Sequence, residues 1–191
     1  MKITTSLSQS QQHILHDLRL ADRCRLKAIF NELPAPNIDE LDGEYAGELL
    51  DQGNWLANWL VRRFFRMAGN WTGKAFQGTG SDRGIGYNCF LQGSKKIKRL
   101  PMFTYIEETP SAGRAFVLDY SLTTRGPIRS MRGRVRRMQM GVYLGFGTAG
   151  PSFGKHGSRR KMPFVLVGPN QPFELPSNLL HLRESQRASA A

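Results

Sequence analysis

Residues 54–76 read NWLANWLVRRFFRMAGNWTGKAF, a stretch that holds all three tryptophans of the chain, three arginines and an abrupt change of hydrophobic period. At about 100° per residue, Leu56, Leu60, Val61, Phe64, Phe65 and Met67 fall on one broad arc of a helix. Trp55, Asn58, Trp59, Arg62, Arg63 and Arg66 fall on the other. Trp59 stands at the i,i+3 and i,i+4 spacings from Arg62 and Arg63 that permit cation–π contact, so this second face is half apolar and strongly positive. Gly69-Asn70 stops the helix, and Trp71-Thr72-Gly73-Lys74-Ala75-Phe76 alternates large and small residues as a strand does. The stretch predicts a helix that feeds a sheet. Its Trp/Arg face is either solvated or in contact with a ligand, lipid or partner.

The helix does not read as a membrane span, because its apolar run is shorter than the roughly 20 residues required and Arg62, Arg63 and Arg66 interrupt it. The opening MKITTSLSQSQQHILHDL lacks the continuous apolar core of a secretory signal. A soluble, cytoplasmic protein is the expectation. Cys24 and Cys89 are too few for a disulfide framework or a cysteine zinc site, so both read as reduced thiols, with Cys89 buried in an apolar strand.

A chain of 191 residues that is 40% hydrophobic suits one well-buried domain. Against 15 Asp+Glu it carries 27 Lys+Arg, a formal +12, with the positive excess mostly after residue 60. Such a balance attracts nucleic acid, anionic lipid headgroups or a small ligand bearing a carboxylate or phosphate, and does not choose among them.

Around the central stretch the pattern is orderly. Ile14, Leu15, Leu18, Ala21 and Leu26 predict a first helix from about Ser10 to Phe30, ended by Leu33-Pro34-Ala35-Pro36. Residues 41–50 alternate Leu41, Gly43, Tyr45, Gly47 and Leu49 with Asp42, Glu44, Ala46 and Glu48, a half-exposed strand whose acidic face can lie beside a basic neighbour. After the helix come predicted strands at Trp71–Phe76, Tyr87–Leu91, Met102–Glu107, Arg114–Tyr120, Met131–Met138, Gly141–Phe146 and Phe164–Val167, then a short helix after Pro176. Short strands at such intervals argue for an antiparallel meander.

Several segments invite a chemical reading. Residues 78–86 have the composition of a phosphate loop, but the strand that follows, where such a loop requires a helix, makes them a hairpin loop. Arg132, Arg134 and Arg136 share one face of a strand, opposite Met131, Gly133 and Val135. If that face meets solvent it protects an edge; if it points into a barrel it needs anionic partners. Asp119 is one such partner, and Tyr120 beside it is an acid/base-capable phenol. The basic segment Phe153–Lys161 reads as a loop that is either solvated or able to grip phosphate. His13 and His16 lack a third ligand and read as surface residues. No nucleophile–base motif, paired-carboxylate pattern or metal cluster stands out.

Residues 41–49, taken with Trp71-Thr72-Gly73-Lys74-Ala75-Phe76 and the late Gly141-Val142-Tyr143-Leu144-Gly145, resemble bacterial lipocalin-like proteins, in which a glycine–aromatic–glycine strand is followed by Trp-x-Gly-Lys-x-Phe. The resemblance implies a calycin-type antiparallel barrel with a cavity for a small, largely apolar molecule. Tyr45 stands where that pattern has Trp, and a long helix precedes the second strand, so no catalytic residue carries over.

The expected architecture is mainly β with helices. It places an antiparallel lipocalin-like β-barrel at 37–175, a helical arm with a Pro-containing linker at 1–36, a helix at about 54–68 inserted after the first strand and crossing one opening, and a tail at 176–191. The expected function is binding, or chemical conversion, of a small apolar or amphipathic molecule with an anionic group. Its contacts would be Trp55, Trp59, Arg63, Trp71, Tyr45, Asp119, Tyr120, Arg132, Arg134, Arg136 and Tyr143, with no cofactor or metal. The rival expectation is a basic, non-catalytic module for nucleic acid or an anionic membrane surface.

Overall fold

The computed structural model describes residue 3 and residues 7–67, 69–109, 113–124, 126–148 and 161–179, without the side chains at 57, 60, 62, 64, 65, 67, 127 and 178. All of the basic segment except Lys161, and the side chains of Leu60, Arg62, Phe64, Phe65 and Met67, lie outside the described residues.

In chain order the elements are α1 (Gln9–Leu20), α2 (Arg23–Glu32), β1 (Gly43–Leu49), α3 (Trp55–Met67), β2 (Asn70–Gly78), β3 (Arg83–Gln92), β4 (Lys95–Thr109), β5 (Gly113–Asp119), β6 (Arg132–Gln139), β7 (Val142–Thr148) and β8 (Lys161–Gln171). Each strand pairs antiparallel with the next, and β1 pairs with β8, so the eight strands close into an up-and-down barrel. Closure leaves no sheet edge exposed.

The predicted single N-terminal helix is two helices. Ala21 leaves the helical region, and the Asp22 carboxylate accepts from the Arg25 amide at 2.8 Å to start α2. An aspartate with this capping geometry begins a new helix in the middle of an otherwise continuous apolar pattern. α1 opens on a capping box, in which Ser8 and Gln11 exchange side-chain and backbone bonds. Both helices pack on the outer face of β7 and β8, where Leu15, Leu18, Leu26 and Phe30 bury Val142, Leu144, Phe146, Val165 and Val167. The predicted turn before Met102 is also strand. β4 begins at Lys95, and Gln92 pairs with Lys95 across a two-residue hairpin turn at Gly93-Ser94, so the lysines alternate along an extended chain.

The inward face of β1 carries Tyr45, Gly47 and Leu49, while Glu44 and Glu48 face out. Glu48 meets Arg19 of α1 at 2.7 Å and Glu44 meets Lys96, the basic neighbours its acidic face requires. One end of the barrel is filled. Ile38 and Leu41 cap Tyr45, Phe76, Met102, Phe116 and Tyr143 there. Tyr45 and Tyr143 pack edge to face at 5.6 Å, their hydroxyls donate to Glu40, and Arg137 meets the Glu40 carboxylate at 2.8 Å. Burial, then the facing Tyr143, raises the Tyr45 phenol far above its ordinary value, and burial followed by Glu40 pushes Tyr143 up to about 12. Both phenols stay protonated near neutrality, and the packed side chains fill this end of the barrel.

Two glycines set how closely β1 and β2 approach. A Cβ on Gly47 would stand 2.4 Å from the Trp71 ring, and one on Gly73, at φ 155°, would stand 1.9 Å from the Tyr45 carbonyl oxygen. The indole of Trp71 therefore lies over the missing side chain of Gly47.

Candidate ligand-binding site

At the opposite end of the barrel, the connection through α3 joins β1 to β2, and β2, β3 and β5 bring together a polar cluster inside an apolar wall. β2 alternates strictly only from Gly73 onward. Between Trp71 and Gly73 the register against β3 shifts by one residue. This bulge turns Trp71 and Lys74, which an unbroken strand would send to opposite faces, into the same interior.

Lys74 is 6% exposed. Its Nζ donates to Asn88 Oδ1 at 2.6 Å and to Tyr120 Oη at 2.8 Å. The rings of Trp71, Tyr120 and Phe164 stand around it with centroids at 5.6, 5.5 and 5.5 Å, a cation–π cage. Asn88 has its full complement of bonds: Oδ1 also accepts from Trp71 Nε1 at 3.2 Å, and Nδ2 donates to the Leu100 carbonyl at 3.1 Å and to Tyr120 Oη at 2.9 Å. Leu100 holds that carbonyl inward with φ at 53°, a left-handed conformation unfavourable for a side chain of its size. Among the described residues no carboxylate forms an ion pair with Lys74. An ammonium that is buried, fully oriented and without a counter-charge is costly to the fold unless something else supplies the negative charge.

The cluster borders a cavity of about 30 Å³, whose walls are Leu49, Phe90, Leu118, Met131, Met162 and Phe164. That space admits only one or two waters. Met131 and Met162, which line it, are long, unbranched side chains of the kind that adapts to irregular space.

Of the residues expected to face a ligand, Trp71 and Tyr120 line this cavity, and Arg132 stands at its rim. Tyr45 and Tyr143 belong to the filled end. Arg134 and Arg136 project from the outer face of β6, because the interior positions of that strand are Gly133 and Val135, packed on Leu118 and in the core with Phe116. Arg134 pairs with Glu107, and Arg132 reaches Glu107 and Asp119 at 3.7 and 3.6 Å. Arg136, 5% exposed, donates to the Phe30 and Asn31 carbonyls at the end of α2 at 2.9 and 2.8 Å, and its guanidinium lies 5.0 Å from the Phe30 ring centre. Asp119 faces outward and accepts from the Ser121 amide at 2.8 Å. On α3, Val61 is buried, while Trp55 is 79% and Trp59 51% exposed, with the Arg63 guanidinium 5.4 Å from the Trp59 ring. Leu56, on the apolar arc of the predicted helix, is 48% exposed. The sequence reading missed Lys74 and Asn88. A lysine and an asparagine inside apolar strands were the signals available.

A closed antiparallel barrel of eight strands, filled at one end and carrying a small cavity at the other, is a lipocalin-like, calycin-type architecture. Among solved structures, a protein from Thermomonospora curvata matches with a TM-score of 0.53 at 18% identity, over 83% of this chain and 95% of that one. A bovine odorant-binding protein in complex with undecanal matches with a TM-score of 0.33 at 10% identity, over 83% of this chain and 88% of that one. The first likeness supports the fold, and the second is too distant to carry an argument. No protein-family model and no curated protein matches the chain. Among the described residues no helix is long and apolar enough to cross a membrane, and no group of three or more His, Cys, Asp or Glu is placed to hold a metal.

Proposed function

We propose that the protein binds a small, largely apolar molecule bearing a carboxylate, with the carboxylate on Lys74 and the apolar body in the mouth of the barrel between Leu49, Phe90, Met131 and Met162. The observation that carries this reading is the Lys74 ammonium, buried in an aromatic cage without a carboxylate partner among the described residues. Two of its three donors are used by Asn88 and Tyr120. Tyr120 Oη accepts from both Lys74 and Asn88, which leaves its own O–H to donate to a ligand oxygen. A carboxylate at this point supplies the missing charge and accepts a charge-assisted bond, a contribution of about 1.5–3 kcal/mol.

The apolar wall accounts for the rest of the affinity, at about 25 cal/mol per Å² of apolar surface removed from water. Native mass spectrometry of gently purified protein, followed by calorimetric titration with a medium-chain carboxylic acid and the alcohol of equal length, tests the proposal. The acid is expected to bind at one site per chain and at least tenfold more tightly than the alcohol. Equal affinities would sink the assignment of Lys74 as the anion contact.

A further inference from the structure

Outside the barrel, across the wall from its cavity and sharing Arg132 with the cavity's rim, α2 and strands β6 to β8 line a second hollow of about 170 Å³. This is roughly ten times the ~10–15 Å³ that one water needs. Its apolar floor includes the rings of Phe30 and Phe146, packed edge to face at 5.1 Å, and its lining includes four cations, Lys27, Arg132, Arg134 and Lys161. Ordinary surface design spreads like charges apart. Here a helix and two strands converge to bring four of them around one concave surface.

The charge balance within the group is uneven. Arg134 is held by Glu107, and Arg132 by Glu107 and Asp119. Among the described residues neither Lys27 nor Lys161 has a carboxylate partner. The sequence joining Thr148 to Lys161 contains no Asp or Glu that would provide one. Burial first, then Lys27, Arg134 and Arg23, holds the Lys161 amine below its ordinary value, so the repulsion is felt within the folded protein. Among the described residues two positive charges are left without compensation, over an apolar floor.

We infer that this hollow is a second binding site, for a phosphomonoester, whose dianion meets Lys27 and Lys161 while the group it esterifies rests on Phe30 and Phe146. A phosphomonoester carries about −1.5 to −2 charges at neutral pH and three strong acceptor oxygens, which matches the two unbalanced lysines. Lysine binds phosphate as a flexible point charge, and the neighbouring arginines, fixed by their carboxylates, add field without having to reorient. The chemistry is shared by a free phosphorylated metabolite and by a lipid whose headgroup is a bare phosphate.

Calorimetric titration with phenyl phosphate, with benzyl alcohol as the neutral comparison, tests the site. One saturable phenyl phosphate site per chain is expected, with no measurable binding of benzyl alcohol. The Lys27→Gln/Lys161→Gln double variant should bind phenyl phosphate at least tenfold more weakly. Both lysines are exposed and without carboxylate partners among the described residues, and their substitution relieves mutual repulsion, so the variant should unfold at a temperature no lower than the wild type. Lys74→Met should bind phenyl phosphate as the wild type does, which separates this site from the barrel cavity. Phosphatidylcholine vesicles with and without phosphatidate distinguish the sources. Displacement of phenyl phosphate only by vesicles containing phosphatidate assigns the lipid headgroup, and lack of displacement beside soluble binding assigns the free ester. Unchanged affinity in the double variant, or several weak sites per chain that vanish with added salt, would overturn the inference.

Discussion

Replacing Lys74 by methionine should separate function from stability, because the two respond in opposite directions. The substitution keeps the length of the side chain and its contact with Trp71, Tyr120 and Phe164, where the thioether remains favourable against aromatic rings. It removes two hydrogen bonds, to Asn88 and Tyr120, each worth about 1 kcal/mol net. Neither partner is stranded, since Asn88 Oδ1 still accepts from Trp71 Nε1 and Tyr120 Oη still accepts from Asn88 Nδ2. Against that loss stands the relief of a buried charge without a counter-charge, whose effective penalty is several kcal/mol. The unliganded variant should therefore be as stable as the wild type or more stable, by up to about 2 kcal/mol. Its affinity for a medium-chain carboxylic acid should fall by about 1.5–3 kcal/mol, some 10- to 150-fold, with little change for the matching alcohol. Urea unfolding without ligand and calorimetry with both ligands measure the two effects. Carboxylate affinity within twofold of wild type, or a stability loss above about 2 kcal/mol, would show that Lys74 serves the barrel's own structure and would refute the reasoning.

Three further substitutions test the frame around the cavity. Gly73→Ala should destabilise by more than about 3 kcal/mol in urea unfolding, because the new methyl group would lie 1.9 Å from the Tyr45 carbonyl oxygen at a φ that disfavours any side chain. Arg136→Met should cost about 2–3 kcal/mol through the two carbonyls of α2 it leaves without a charged donor, whereas Arg134→Met, at a partly exposed pair, should cost about 0.5–1 kcal/mol and leave carboxylate binding in the barrel unchanged. For Glu48, burial acts upward, but the Arg19 hydrogen bonds and the Ile3 amide outweigh it and hold the carboxyl below its ordinary 4.5. The pair's stabilisation is therefore present above about pH 4.5 and lost as pH falls through the lower folded value. Arg19→Gln should narrow the stability gap to wild type progressively below pH 4.5 in acid-unfolding curves, and a gap that widens there would reverse the sign.

The sequence alone determined most of the elements, the break between α1 and α2 and the start of β4 at Lys95 being the exceptions. Period-two alternation marked the strands at 41–50, 71–76 and 131–138, short apolar runs between turn residues marked the other five, and the change of period after Met67 marked the inserted helix. These are local consequences of backbone geometry, which each segment carries before it meets the others. What the tertiary structure decided was facing. Alternation places Arg132, Arg134 and Arg136 on one side of a strand, but only closure of the barrel over Phe116 and Leu118 makes the Gly133 and Val135 side the interior and sends the arginines outward to Glu107 and the end of α2. The bulge between Trp71 and Gly73 had a similar effect, for it breaks the rule of alternation at the position that puts Lys74 beside Trp71. Asn88 and Tyr120, 14 and 46 residues further along the chain, reach Lys74 only because β3 and β5 curve around the same cavity. A polar cluster assembled from distant strands leaves no spacing in the sequence. Its parts become neighbours only when the sheet closes on itself.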